Sequence, residues 1–147
     1  LPLNGWIAVL ILGATLAAVP ARAAGPEGRW LTQDRGGVIE IGPCDGGLCG
    51  RIVGMNETRR RDGSIPTDPE GHPTCGLTIL HAEPDGPGQW SGHIADPDTG
   101  TSWNCTLRLD AADHLLLRGY VLLPLFGQTQ TWTRYPDAPG AGCAMTD

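Results

Sequence analysis

Beyond Ala23 the chain never sustains apolar positions at helical spacing. Short stretches instead alternate apolar and polar residues and are broken by Gly, Pro and Asp. A period of two marks half-buried strands, and frequent turn residues between them are the all-β pattern. Eight segments read this way: residues 29–32, 38–41, 48–55, 77–82, 90–95, 102–109, 115–121 and 129–135. Asp96-Pro97-Asp98-Thr99-Gly100 and Asp110-Ala111-Ala112-Asp113 are the tight turns flanking the sixth segment.

The same period assigns faces. In the sixth segment Trp103, Cys105, Leu107 and Leu109 share one side, while Ser102, Asn104, Thr106 and Arg108 share the other. In the last, Gln128, Gln130, Trp132 and Arg134 oppose Thr129, Thr131 and Thr133, which form the solvated side. An antiparallel meander of this size closes into an eight-stranded up-and-down barrel whose interior is either filled or holds one small ligand. Its expected lining is Trp30, Trp90, Trp103 and Trp132, with Gln128, Gln130 and Tyr120 as the polar groups that would orient a ligand. A Gly28-Arg29-Trp30 strand answered by Arg134 on the last strand predicts closure by a guanidinium stacked on an indole. A ligand-binding arginine is the other reading of Arg134.

Residues 6–19 form an apolar run followed by Pro20 and Ala21-Arg22-Ala23. That predicts the apolar core and small-residue exit of a signal peptide, with a membrane anchor as the other reading, though the run is short for a span, which needs about 20 apolar residues. The expected organisation is a cleavable leader at 1–23 and one domain at 24–147, with a barrel core at 28–135 and a flexible tail at 136–147. Export puts the mature domain in the periplasm or outside the cell.

Charge then narrows the partners. Ten Arg, no Lys and sixteen acidic residues give a net charge of −6. An acidic domain repels phosphate backbones, so nucleic acid is excluded as a partner, and the absence of Lys removes Schiff-base chemistry. All five cysteines follow the leader. Cys44-Asp45-Gly46-Gly47-Leu48-Cys49 sets turn residues between two thiols, so a disulfide can staple a hairpin there, worth about 2 kcal/mol for so short a loop. A metal half-site is the competing reading, and no second half with matching spacing follows. Cys105 reads as a small buried hydrophobe; the pairing of Cys75, Cys105 and Cys143 stays open.

Other constellations give little chemistry. His81 and His93 lie on neighbouring strands near Glu83 and Asp85, a loose zinc set that reads more simply as exposed sheet histidines. Asp96-x-Asp98-x-Gly100 begins like a calcium loop, yet the later positions do not follow. No nucleophile elbow, zinc-protease helix, phosphate loop or dinucleotide fingerprint occurs. Neither a catalytic set, a metal nor a cofactor is therefore expected. Arg59-Arg60-Arg61 sits in the long loop 56–74, an irregular flap over one end of the barrel. It reads as solvated charge, or as a weak contact with the cell envelope or a protein.

Taken together, Gly28-x-Trp30, Cys49-Gly50-Arg51-Ile52-Val53, Gly76 with Ile79-Leu80, Trp90-x-Gly92-x-Ile94-x-Asp96-Pro97-x-x-Gly100, Leu117-Arg118-Gly119-Tyr120 and Gly127-x-Thr129-Gln130-Thr131-Trp132-Thr133-Arg134 resemble the bacterial family called domain of unknown function 2147. The resemblance implies an exported protein with a lipocalin-like (calycin) barrel and carries no mechanism. Trp103 stands where that family usually has Tyr, and the extra cysteines and absent Lys are further departures. The expectation is a monomeric, non-catalytic barrel that binds a small apolar or amphipathic molecule. A packed barrel serving as an envelope interaction protein is the alternative, and an enzyme the third reading.

Overall fold

The computed structural model describes residues 25–121 and 127–146, together with Ala17. The leader expected at 1–23 lies outside the described residues, Ala17 apart. Eight strands follow in order: β1 (Gly28–Leu31), β2 (Gly37–Cys44), β3 (Gly47–Met55), β4 (Thr78–Pro84), β5 (Gln89–Ala95), β6 (Ser102–Leu109), β7 (Leu115–Tyr120) and β8 (Gln128–Arg134). Each pairs antiparallel with its sequence neighbour, and β1 returns to β8, so the sheet is a closed up-and-down barrel. The fold expectation therefore holds, and β6 has the expected bounds. β2 runs longer than its apolar pattern because Gly42, Pro43 and Cys44 continue the ladder to the hairpin end.

Register shows how alternation builds the interior. Ile41, Gly50, Leu80, Ile94 and Trp103 follow one another across adjacent strands, as do Leu48, Ala82, Gly92, Cys105 and Gly119. These rows face inward, and the core is completed by Trp30, Ile39, Ile52, Leu107, Leu115, Leu117 and Trp132. Outward rows are polar: Glu40 and Arg51, His81 and His93, Thr106, Arg118 and Thr129. Apolar inside and polar outside is the reverse of a barrel that faces lipid. Small residues let the walls approach: a Cβ on Gly50 would lie 2.8 Å from Leu80 Cβ and 3.1 Å from Ile39 Cγ2.

The two ends differ. At one lie the β2–β3, β4–β5 and β6–β7 hairpins and the meeting of β1 with β8. At the other lie the 32–36 turn, the 56–77 loop, the 96–101 turn and the start of β8. The loop at 56–77 is irregular as expected, with a single bridge between Thr67 and Pro73.

The segment after Arg134, expected as a flexible tail at 136–147, is tied to the barrel in its described part. Its described part turns back along the outer wall, makes a short 3-10 turn at Ala141–Cys143 and bridges Ala144 to Met55. Cys143 is buried and bonded to Cys75. A Cβ on Gly54 would meet both Val38 and Met145, so the segment covers Val38, an apolar residue outside the interior cluster. Apolar cover and a covalent tie, neither visible as periodicity, hold it.

Cys44–Cys49 forms as expected and Cys105 is free and fully buried among core residues. Desolvation pushes the Cys105 thiol up to about 12. Two disulfides are the mark of an oxidising compartment outside the cytoplasm. Non-reducing peptide mapping should recover Cys44 with Cys49 and Cys75 with Cys143, and iodoacetamide at pH 8 should label Cys105 only after denaturation. Serine replacement of Cys75 and Cys143 should cost about 4 kcal/mol in chemical denaturation and of Cys44 and Cys49 about 2, because loop entropy grows with the length closed. Equal losses would contradict this ordering.

Candidate functional site

Closure at the first end is a side-chain assembly. Trp30 pairs directly with Arg134 across the β1–β8 seam, and the guanidinium carbon sits 3.9 Å from the indole centroid. Arg134 Nε and Nη2 donate to the two carboxylate oxygens of Asp113 at 3.1 Å each, Nη1 to the Glu27 carbonyl at 2.6 Å and Nη2 to the Gly25 carbonyl at 3.4 Å. The indole Nε1 donates to the Pro26 carbonyl at 2.7 Å. Gly28 is required here: its φ is +123°, and a Cβ would stand 2.8 Å from Arg134 Nη1. Asp113 was legible only as a turn residue, since nothing in sequence joins the β6–β7 turn to β8. Its carboxylate is aimed by that turn, where Asp110 accepts from the backbone N–H groups of Ala112 and His114. The His114 backbone bond is the main reason the Asp110 carboxyl lies below its ordinary range.

The opposite end is hollow among the described residues. A cavity of about 680 Å³ is lined there by Ile94, Trp103, Leu117, Gly119, Gln128 and Gln130, with Asp34, Asp96, Pro97, Tyr120 and Val121 at its rim. It meets a second lobe of about 490 Å³ at Asp34, Pro97 and Gln130. Ile39, Ile52 and Ile79 form the floor of that lobe, and Asn56, Arg59, Arg60, Pro66 and Thr74 from the long loop form its roof. The Thr74 hydroxyl is buried with no hydrogen-bond partner among the described residues. Asp34 accepts from the Thr32 hydroxyl at 2.7 Å and from the Gly36 N–H at 2.9 Å. Those bonds, the hydroxyl's foremost, hold its carboxyl below the usual range, so it stays ionised into mild acid.

Of the residues expected to contact a ligand, Trp103, Tyr120, Gln128 and Gln130 line this one cavity. Trp132 lies beneath it, buried in the core, with its Nε1 donating to Gln130 Oε1 at 2.9 Å. The amides are exposed at the mouth rather than enclosed, because β8 begins there. Tyr120 differs from the other four: it pairs with Asn104 on the outward row and reaches only the rim. Trp90 and Trp103 are half-buried where Trp30 and Trp132 are buried. Arg59 and Arg60 donate to the carbonyls of Gly63 and Thr67 and so brace their own loop, while Arg61 is exposed.

Residues 28–134 match the family described as "Uncharacterized protein conserved in bacteria (DUF2147)". The chain belongs to that family. No curated protein matches it. Among solved structures it is similar to protein HP1028 from the human pathogen Helicobacter pylori, described as belonging to the lipocalin family. The two share 15% identity with a TM-score of 0.57 over 76% of this chain and 83% of that one. This likeness concerns the fold, a lipocalin-like closed barrel, and the family itself carries no assigned activity.

Removing the indole with Trp30→Ala should cost about 3 to 5 kcal/mol in chemical denaturation. Arg134→Ala should cost less, and Arg134→Lys should not restore the loss because an ammonium cannot make the paired bonds to Asp113 while stacking on the ring. Gln130→Leu should destabilise by about 1 to 3 kcal/mol, since it leaves the buried Trp132 N–H without its acceptor. A rise in melting temperature for Gln130→Leu would show that this bond contributes nothing.

Proposed function

We propose that this DUF2147 protein binds a small, partly apolar molecule in the open mouth of its barrel, without transforming it, in the periplasm or outside the cell. The supporting observation is the cavity of about 680 Å³ where Trp103, Leu117 and Ile94 meet the amides of Gln128 and Gln130. Concave, largely apolar lining with a few convergent polar groups is the usual make-up of a small-molecule site, and the volume lies within the common range. The adjoining lobe extends the apolar floor, and the unpaired Thr74 hydroxyl offers a further polar contact.

The rim indicates what polar end suits the first lobe. Asp34 and Asp96 border it, and none of the described residues lining it is basic. An uncharged or cationic end fits, and an anionic one is repelled. Both carboxylates already accept turn hydrogen bonds, Asp96 from the Asp98 N–H at 2.8 Å. That engagement supports a lining that holds a molecule without transforming it.

Native mass spectrometry of the exported protein should show a co-purified mass, and a neutral or cationic long-chain fluorophore should quench or shift tryptophan emission where its carboxylate analogue does so weakly. Gln128→Leu should weaken binding about five-fold, the equivalent of one hydrogen bond of about 1 kcal/mol, and Thr131→Val on the outer face should leave it unchanged. If no probe alters the emission and no mass co-purifies, the binding reading fails and an envelope interaction protein with a packed barrel takes its place.

A further inference from the structure

We infer that Cys44, Cys49 and His81 form a redox-gated site for a thiophilic divalent cation such as Zn²⁺ on the outer wall of the barrel, closed by the disulfide when oxidised and able to take the metal when reduced. The three side chains offer ligand atoms that all lie within 4.8 Å of one another. Cys49 Sγ is 3.3 Å from His81 Nδ1. Zinc–sulfur and zinc–nitrogen bonds of about 2.3 and 2.0 Å at tetrahedral angles put a thiolate and an imidazole nitrogen about 3.5 Å apart, so this edge of the polyhedron is nearly built. Only Cys44 must swing, and it stands at the free end of the β2–β3 hairpin.

The strands fix the other two ligands. Cys49 pairs with His81, and His81 with His93, along one outward row, so the imidazoles rise on the same side as the sulfur. A surface groove of about 520 Å³ runs beside this row and is lined by Cys44, His81 and His93 among others. It leaves room for the fourth ligand a three-residue zinc site requires, a water or the His93 imidazole.

The two disulfides differ in what their loss would undo. Cys44–Cys49 joins positions five residues apart in a hairpin whose ladder already pairs Gly42 with Cys49, Pro43 with Leu48 and Cys44 with Gly47. Opening it leaves the hairpin in register. Cys75–Cys143 instead joins positions 68 residues apart, and Cys143 is buried.

Opening needs a dithiol as reductant. Its thiolate attacks Cys44 Sγ, the S–S bond breaks, and Cys49 leaves as a thiolate beside His81. The second thiol of the reductant then displaces Cys44 from the mixed disulfide, so the reductant becomes the disulfide and both cysteines carry the two electrons. The cation takes the place of the thiol protons, which pass to solvent.

The test is Co²⁺ titration of the mature protein, reduced under nitrogen and freed of reductant. One equivalent should bring thiolate-to-cobalt charge-transfer absorption with tetrahedral d–d bands, both abolished by Zn²⁺, and the oxidised protein should show neither. A Cys75→Ser/Cys143→Ser variant should keep the signal and a Cys44→Ser/Cys49→Ser variant, folded by circular dichroism, should lose it. His81→Ala should weaken affinity by at least about ten-fold, the loss that removing even an outer partner of a metal ligand brings. Absence of the bands in the reduced protein, their persistence without Cys44 and Cys49, or unchanged affinity in His81→Ala would each overturn the proposal.

Discussion

Everything in this barrel depends on the seam between β1 and β8. That ladder has only two register pairs, Trp30 with Arg134 and Leu31 with Thr133, whereas β2 and β3 share eight. A sheet of eight twisted strands left open would expose two edges and an apolar face. Side chains make up for the short ladder. Arg134 joins β8 to β1 by stacking on Trp30, to the β6–β7 turn through Asp113 and to the entering chain through the carbonyls of Gly25 and Glu27. One guanidinium thus fixes three segments, and its planar fork of donors is what allows it.

Sealing one end commits any ligand to the other. The closed end is filled by a buried indole, while the mouth is bordered by turns whose carboxylates are spent on backbone N–H groups and by a loop braced by its own Arg59 and Arg60. Below the mouth the core is packed by aliphatic residues and Trp132, so the cavity is a bowl and not a channel. The Cys75–Cys143 link joins the base of the loop to the returning C-terminal segment. The roof of the second lobe is therefore tied to the outer wall of the barrel.

Sulfur occupies three environments in one small domain. Cys105 is sealed among core residues and inert, Cys75 and Cys143 bind two distant parts of the chain, and Cys44 and Cys49 lie on the surface against an imidazole. Burial and partner, and not the cysteine itself, decide whether a sulfur is packing, tether or reactive group.

Alternation and turn residues determined the eight strands, their order and which face of β6 and β8 looks inward, because the side-chain period of a strand is local and needs no knowledge of its partner. Gly28, Trp30 and Arg134 were legible as a closure for the same reason: the first and last strands of a meander can only meet each other. Tertiary structure alone decided the rest. Register set Gln128 and Gln130 at a mouth instead of in a core, since where a strand begins relative to the barrel's rim is fixed by its neighbours. Asp113 became the partner of Arg134, Cys143 found Cys75, and His81 came to rest against Cys49 through contacts between positions 21, 68 and 32 residues apart. Such pairings depend on how the sheet curves and closes, a property of all eight strands together that no single stretch of sequence contains.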